Sequence, residues 1–182
     1  MPTSTTTDPC RDPMPAGFRD AMRRLASSVM IVTSRDLQGQ PHGMVASSVI
    51  PVSMDPPSML VAVNRDAGLH PVLLQSRRFC VNLLADQQHH LLAPFSQSAL
   101  RAQRFRSGGW CHAWSDDTEQ LPWLPDAPAV IDCAVDVATA YGTHTLFVGR
   151  VLSVHCASAP HSDIAPLVWL AGQRAALAAT PA

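Results

Sequence analysis

The sequence contains no lysine, since all thirteen of its basic residues are arginine. Enzymes that form a Schiff base with pyridoxal phosphate and proteins with a phosphate-loop lysine are therefore excluded. Neither the GxGxxG of a Rossmann dinucleotide site nor the GxxxxGK[ST] of a phosphate loop occurs. The zinc-binding patterns HExxH and paired CxxC are also missing, so no metal site is expected. The five cysteines are odd in number and three interrupt apolar runs, so structural disulfides are not expected.

The chain also lacks a strong charge and a long apolar segment. A net charge of −1 and a pI near 6.7 provide no basic surface for nucleic acid or for an anionic membrane. No apolar run reaches the roughly 20 residues that span a bilayer, and residues 1–17 lack the apolar core of a signal peptide. We therefore expect a cytoplasmic protein that binds neither nucleic acid nor membrane.

The length and composition favour one globular domain. A chain of 182 residues has the size of a single domain. Hydrophobic residues make up 47% of the sequence and charged residues only 15%, a balance that favours oligomerisation. Residues 1–16 are rich in Thr, Pro and Ser and are predicted to be disordered, with folded structure starting at Phe18.

Hydrophobic periodicity predicts six strands with helical inserts. The strands are predicted at 29–34, 44–53, 59–64, 78–84, 130–140 and 145–154. Helices are predicted at 18–26, where the role is packing, and at 71–76, 85–96 and 99–105. The first two strands are too close for a crossover helix, the last two are joined by a tight turn, and all six alternate. This pattern favours an antiparallel sheet closed into a small barrel.

The stretch 42–57 is unusual because small residues occupy the middle of a predicted strand. Ala46, Ser47 and Ser48 leave backbone and hydroxyl groups uncovered, which suits a flat ring that lies close to the chain and accepts hydrogen bonds. A strand with an ordinary polar face is the alternative that spacing alone leaves open.

Several segments together resemble a known family. They are FRDAMRRLASSVMIVTS, PHGMVASSVIPVSMDPPSMLVAVNR, SRRFCVNLLADQQHHLLAPFS, GTHTLFVGRV and PLVWLAGQR. In this order, from Phe18 to Arg174, the chain resembles the flavin reductase-like, FMN-binding split-barrel proteins, the short-chain flavin reductase components of two-component monooxygenases. The resemblance implies a mainly β, six-stranded antiparallel Greek-key split barrel with short flanking helices. That domain would cover residues 17–176, with a flexible C-terminus at 177–182, and would form a homodimer with the flavin near the subunit interface.

The resemblance also assigns candidate flavin-binding residues. The strand that contacts the isoalloxazine ring matches Val45, Ala46, Ser47 and Ser48. The strand and loop for the ribityl chain and phosphate match Ala62, Val63, Asn64 and Arg65, followed by His70, and a Phe after the helix matches Phe95. The arginine fork of Arg65 suits a phosphate, and Pro71 marks a helix start that also favours an anion. A solvated surface arginine is the alternative for Arg65.

The nicotinamide side of the site is matched less fully. The turn 142–144 places His144 at the cofactor entrance, with Thr143 where the family often has an acid. Trp169 is the candidate for stacking on the nicotinamide side, and it stands with Arg174 where tyrosines are common; a core position for Trp169 is the alternative. Val45 stands where many members carry Thr, which removes one hydroxyl that could bond the flavin ring.

The implied reaction is hydride transfer from NADH or NADPH to FMN or FAD, with reduced flavin passed to a flavin-dependent monooxygenase. The two cofactors carry this chemistry, so no catalytic acid, base or nucleophile is expected from the protein. One alternative is a flavoprotein that keeps its flavin and reduces a ferric chelate, a corrinoid or a quinone. Another is a non-catalytic flavin-binding or heme-binding barrel.

Overall fold

A computed structural model describes residues 14–112, 121–158 and 164–177. Within these ranges the helices are α1 Met14–Arg23, α2 His70–Ser76 and α3 Leu92–Ser96, with two 3-10 helices at Asp86–Leu91 and Ser98–Gln103. The strands are β1 Ser27–Ser28, β2 Met30–Arg35, β3 Pro41–Ala46, β4 Val49–Met54, β5 Pro57–Asn64, β6 Arg78–Leu83, β7 Ala129–Tyr141, β8 His144–Cys156, β9 Val168–Leu170 and β10 Gln173–Ala175.

A seven-stranded antiparallel sheet forms the body of the molecule, in the order β3-β2-β6-β7-β8-β5-β4. A second, three-stranded sheet has the order β1-β9-β10. The predicted mainly β, antiparallel architecture is confirmed, while the predicted count of six strands is corrected to seven in the large sheet. The predicted closure into a barrel is also corrected, since β3 and β4 are the two ends of this sheet and do not pair with each other. The short strands of the small sheet were not predicted because two or three residues show no periodicity.

The extra strand arises because the predicted strand at 44–53 is two strands. The chain bends at Ser47 and Ser48, so β3 pairs with β2 whereas β4 pairs with β5. These are the two edge strands of the large sheet, and only two residues join them. The sheet must therefore curve until its edges approach each other at this link. Pro51, which cannot donate a backbone hydrogen bond, is tolerated in β4 because β4 is an edge strand.

Alternating side chains fill two separate cores. Val32, Phe79 and Phe147 are fully buried in the first cluster. Ile31, on the opposite face of the sheet, belongs to the second cluster. Leu84, Leu91 and Leu124 are also part of this second cluster. Burying an aliphatic or aromatic side chain of this kind stabilises the fold by about 1.5 to 3 kcal/mol. Because neighbouring residues point into different cores, both faces of the central strands are covered.

The helices differ from the prediction mainly at their ends. Helix α1 begins at Met14, four residues before the predicted start at Phe18, and so takes in the end of the segment 1–16 that was predicted to be disordered. Residues 1–13 and 178–182, which include most of that segment and of the predicted flexible C-terminus, lie outside the described residues. The prediction at 99–105 becomes the 3-10 helix Ser98–Gln103. None of the described helices is long and apolar enough to cross a bilayer.

Candidate functional site

The link between β3 and β4 presents free hydrogen-bond donors. Ser47 and Ser48 are exposed, and within the described residues neither their backbone N–H groups nor their hydroxyls bond to the protein. The carbonyl of Ser48 is used, since it accepts a bond from the N–H of Ala62 at 3.0 Å. This bond fixes the link against β5, so its free donors are held in place.

A cavity of about 500 Å³ lies beside this link. It is lined by Val45 and Ser47 and by Trp169 of β9, a residue that is 38% exposed. Its volume is within the range of about 300 to 1,000 Å³ that is common for small-molecule sites. The structure thus brings together three predicted site residues that are more than 120 residues apart in the sequence, Val45 and Ser47 on one side and Trp169 on the other.

Helix α1 forms a wall of the cavity that the sequence did not assign to the site. Arg19, Met22 and Arg23 line the cavity from α1, and Leu92 and Ser96 line it from α3. The spacing of Arg19 and Arg23 places them on one helix face, which the sequence does show. It does not show that this face adjoins Trp169, because the contact is tertiary.

The β9-β10 hairpin that carries Trp169 is held at two points. The backbone N–H of Ala171 donates to the carbonyl of Arg23 at 2.8 Å, which ties the hairpin to α1. On the other strand, Arg174 Nε donates to Asp86 Oδ1 at 2.5 Å. The hydrogen bond from Arg174 lowers the pKa of the Asp86 carboxyl below its ordinary value. Arg174 therefore fixes the hairpin and does not line the cavity.

Asn64 and Arg65 lie at a corner of the sheet, against the β7-β8 turn. Asn64 is paired with His144 across β5 and β8. The backbone N–H of Arg65 donates to Thr143 O at 2.9 Å, and Arg65 Nη2 donates to Gly142 O at 2.7 Å. Arg65 is exposed, and its other guanidinium N–H groups have no partner among the described residues. It is anchored by one nitrogen and can still bind an anion with the others.

The two histidines near this corner differ in whether their Nε2 atom is free to bind a ligand. His70 Nε2 lies 2.9 Å from Thr145 Oγ1, and its ring packs edge-on against Phe147 with 5.8 Å between centroids. His144 Nδ1 lies 2.9 Å from Thr143 Oγ1, so its Nε2 is open for a ligand within the described part of the chain. The predicted turn is shorter than expected, since β8 already begins at His144. His144 and Trp169 lie in different parts of the site, one at the corner and one in the cavity.

Three of the predicted flavin-binding residues have side chains that are buried in the hydrophobic core. Ala46 and Val63 belong to the first core cluster. Phe95 is only 4% exposed and packs against Phe105 and Trp110, with ring centroids 5.1 and 5.4 Å away. Their side chains face the protein interior, so Ala46 and Val63 can offer a ligand only their backbone.

The cavity and the corner are connected through the chain from Ser47 to β5 and Arg65. Ser48 bonds to Ala62, and Ala62 lies three residues before Arg65 on the same strand and loop. At about 3.3 Å per residue, the distance along the chain from Ala62 to Arg65 is about 10 Å. This arrangement suits an elongated ligand that has a flat ring beside the link and an anionic group at Arg65. FMN and the FMN half of FAD have this shape and charge.

The chain is similar to flavin reductases in both sequence and fold. Residues 22–178 match a family described as flavin reductase like domain. The chain is 39% identical over 137 residues to the reductase component of the FADH2-dependent resorcinol hydroxylase of Rhizobium sp. strain MTP-10005, covering 75% of this chain and 74% of that protein. It is 34% identical over 163 residues to the NADH:riboflavin 5'-phosphate oxidoreductase of Streptomyces pristinaespiralis, covering 89% and 88%. The solved structure of the styrene monooxygenase flavin reductase of Pseudomonas putida S12 matches with a TM-score of 0.77 and 28% identity, over 91% of this chain and 99% of that one.

Proposed function

Because the chain belongs to the flavin reductase-like domain family, we propose that it is an NADH-dependent flavin reductase that transfers hydride to FMN or FAD. The observation that carries this proposal is the arrangement of three features, namely the cavity at Trp169, the free donors of Ser47 and Ser48 beside it, and the exposed Arg65 at the corner after β5. The names of the relatives from Streptomyces pristinaespiralis and Rhizobium support NADH as the donor and both flavins as acceptors. NADPH is the alternative donor.

The residues divide the binding of the flavin between them. Val45 and the link at Ser47 and Ser48 contact the ring, and Arg65 contacts the phosphate. Negative charge increases on the pyrimidine side of the ring when the flavin is reduced, and fixed N–H and O–H donors stabilise that charge. The donors of the link are already held in place by the bond between Ser48 and Ala62, so little reorganisation is needed.

The nicotinamide approaches the exposed face of the flavin ring. When both nucleotides are bound, they supply the hydride chemistry themselves, and the protein aligns the two rings. Productive alignment requires the reacting atoms to be about 3 to 3.5 Å apart. Trp169 provides an aromatic surface in the cavity, and His144 offers Nε2 as a hydrogen-bonding group at the corner.

The chain has two protein partners, a separate monooxygenase and a second copy of itself. It supplies reduced flavin to a separate flavin-dependent monooxygenase, as the name of the Rhizobium relative describes for that protein. It also works as a homodimer, which the exposed apolar side chains of the edge strand β4 support.

The test is steady-state oxidation of NADH and NADPH with added FMN or FAD, together with gel filtration after loading with flavin. We expect NADH oxidation that depends on added flavin, and loss of the flavin on the column. Retention of the flavin with reduction of a ferric chelate, a corrinoid or a quinone would indicate the flavoprotein alternative. Absence of NADH and NADPH oxidation with both flavins would overturn the proposal in favour of a non-catalytic barrel.

A further inference from the structure

We propose that Arg19 and Arg23 of α1 form a second phosphate-binding subsite, which recognises the pyrophosphate of a dinucleotide bound in the cavity beside Trp169. The inference rests on the proposed function and concerns how the chain recognises its substrates. Two dinucleotides have the required chemistry, namely FAD and NADH, and the experiment below distinguishes them.

The two arginines lie side by side on α1 and have few partners of opposite charge in the described protein. They are four residues apart on α1, so they lie on the same helix face, and both line the cavity. Arg23 Nη1 is 3.9 Å from Asp20, and both side chains are more than half exposed. Arg19 forms no ion pair within the described part of the chain. Like charges at this spacing repel each other, and an anion bound between them removes that repulsion.

The rest of the cavity is apolar or neutral. Met22, Leu25, Val29 and Leu92 are among its lining residues, and no acidic residue is among those described. An acidic ligand group would therefore meet two guanidinium groups, and the Asp20 carboxylate beside Arg23 is more than half exposed and does not line the cavity. The partly exposed indole of Trp169 in the same cavity provides a surface on which a flat ring can stack. The combination suits a nucleotide, which carries both a ring and a phosphate.

The position of Arg65 separates the phosphate of FMN from the arginines of α1. Arg65 lies at the corner after β5, and the link at Ser47 and Ser48 lies between that corner and the cavity. A mononucleotide has one phosphate, so FMN bound through Arg65 leaves Arg19 and Arg23 without an anion. The two phosphates of a dinucleotide share one bridging oxygen and stay together, so both reach α1 when the dinucleotide lies in the cavity. The subsite therefore discriminates dinucleotides from FMN.

The experiment compares the Arg19→Gln, Arg23→Gln and double variants with wild type. Arg24→Gln is the matched control, because Arg24 follows the helix directly but does not line this cavity. Dissociation constants of FMN and FAD are measured by flavin fluorescence, and that of NADH by calorimetry on the flavin-free chain. We expect the double variant to bind at least one dinucleotide about tenfold or more weakly, as loss of a charge-assisted contact predicts, with FMN affinity within about twofold of wild type. An Arg19→Lys variant should show an intermediate loss, because it keeps the charge but not the fork.

Each outcome has one interpretation. Weaker binding of FAD alone assigns the subsite to the pyrophosphate of an FAD that lies in the cavity and not at Arg65, and weaker binding of NADH alone assigns it to the pyrophosphate of the hydride donor. Unchanged affinity for both dinucleotides, or an equal loss for FMN and FAD, would overturn the inference. If wild type oxidises no NADH but the arginine variants lose FAD affinity, the proposed function fails and the subsite remains. If wild type is an active reductase and the variants bind all three nucleotides normally, the subsite fails and the function remains.

Discussion

Arg174 and Asp86 form a bidentate ion pair that connects β10 to the 3-10 helix after β6. Arg174 Nε lies 2.5 Å from Asp86 Oδ1, and Nη2 reaches Oδ2. The pair fixes one side of the hairpin that carries Trp169, while the bond from Ala171 to Arg23 fixes the other. The geometry of the cavity therefore depends on a charge pair outside it.

Arg174→Gln should lower the Tm at neutral pH and have a smaller effect in acid. Asp86 has an ordinary pKa of 3.8, and its hydrogen bond from Arg174 lowers the pKa in the folded chain. A carboxyl with a lowered folded pKa stabilises the fold above the unfolded pKa, and this stabilisation is lost as the pH falls through the folded value. The Tm is measured for wild type and variant from pH 7 downward, with Arg106→Gln as an exposed control. The same Tm difference at every pH would contradict the assignment.

Arg65→Ala should raise the dissociation constant of FMN about tenfold, as expected for loss of one charge-assisted contact of about 1.5 kcal/mol. The backbone bond from Arg65 to Thr143 does not involve the side chain, so the loop should keep its position. Affinity is measured by flavin fluorescence, and Arg106→Ala serves as the control. An unchanged constant would remove Arg65 from the phosphate site.

The sequence predicts most of the large sheet because its strands are β-branched runs with clear alternation. It does not predict the break at Ser47 and Ser48, since the residues on both sides have the same strand pattern. Local propensity contains no information that the chain changes neighbours there, moving from β2 to β5. The consequence is the difference between six predicted strands and seven observed ones.

The candidate site shows the same division between local and tertiary information. The resemblance identifies Val45, Ser47 and Trp169, and the cavity contains all three. It also assigns His70 to the flavin, but the sequence gives no sign that this side chain already contacts Thr145. The sequence does not predict that α1 lines the cavity, because this depends on the packing of α1 against the β9-β10 hairpin. Arg23 and Ala171, which connect the two elements, are 148 residues apart in the sequence.

His144→Ala should weaken the use of NADH while leaving flavin binding nearly intact. The side chain can offer Nε2 to the nicotinamide, and its loss lowers the population of aligned rings by roughly fivefold if one hydrogen bond of about 1 kcal/mol is removed. Stopped-flow reduction of bound flavin across NADH concentrations gives the rate and affinity, with His90→Ala as control. If the variant has the hydride-transfer rate and NADH affinity of wild type, or if only its flavin affinity changes, His144 does not bind the nicotinamide.

Gly43→Ala should destabilise the fold by about 1 to 3 kcal/mol through overpacking. An added Cβ would lie 2.8 Å from Phe95 Cε1 and 3.2 Å from Val32 O. Denaturant unfolding measures the change, and Gly68→Ala is the control because its Cβ would meet nothing closer than Arg101 Nη1 at 3.7 Å. Combining Gly43→Ala with Phe95→Leu should cost less than the sum of the single changes, since the shorter side chain relieves the contact. Full additivity would show that the two positions do not interact.

The edge strand β4 should form part of a homodimer interface. Ile50, Val52 and Met54 are 55%, 51% and 85% exposed, and in the described chain β4 has β5 as its only neighbour in the sheet. An exposed apolar edge of this kind is an association surface, and a stable interface buries more than roughly 1,000 Å² in total. Analytical ultracentrifugation at micromolar concentration should therefore show a dimer. Val52→Glu should shift it toward monomer by placing a charge in the interface, whereas Leu37→Glu, at an exposed position in the β2-β3 turn, should leave the dimer intact. A monomeric wild type would contradict the prediction, and a Val52→Glu variant that dimerises as well as wild type would exclude β4 from the interface.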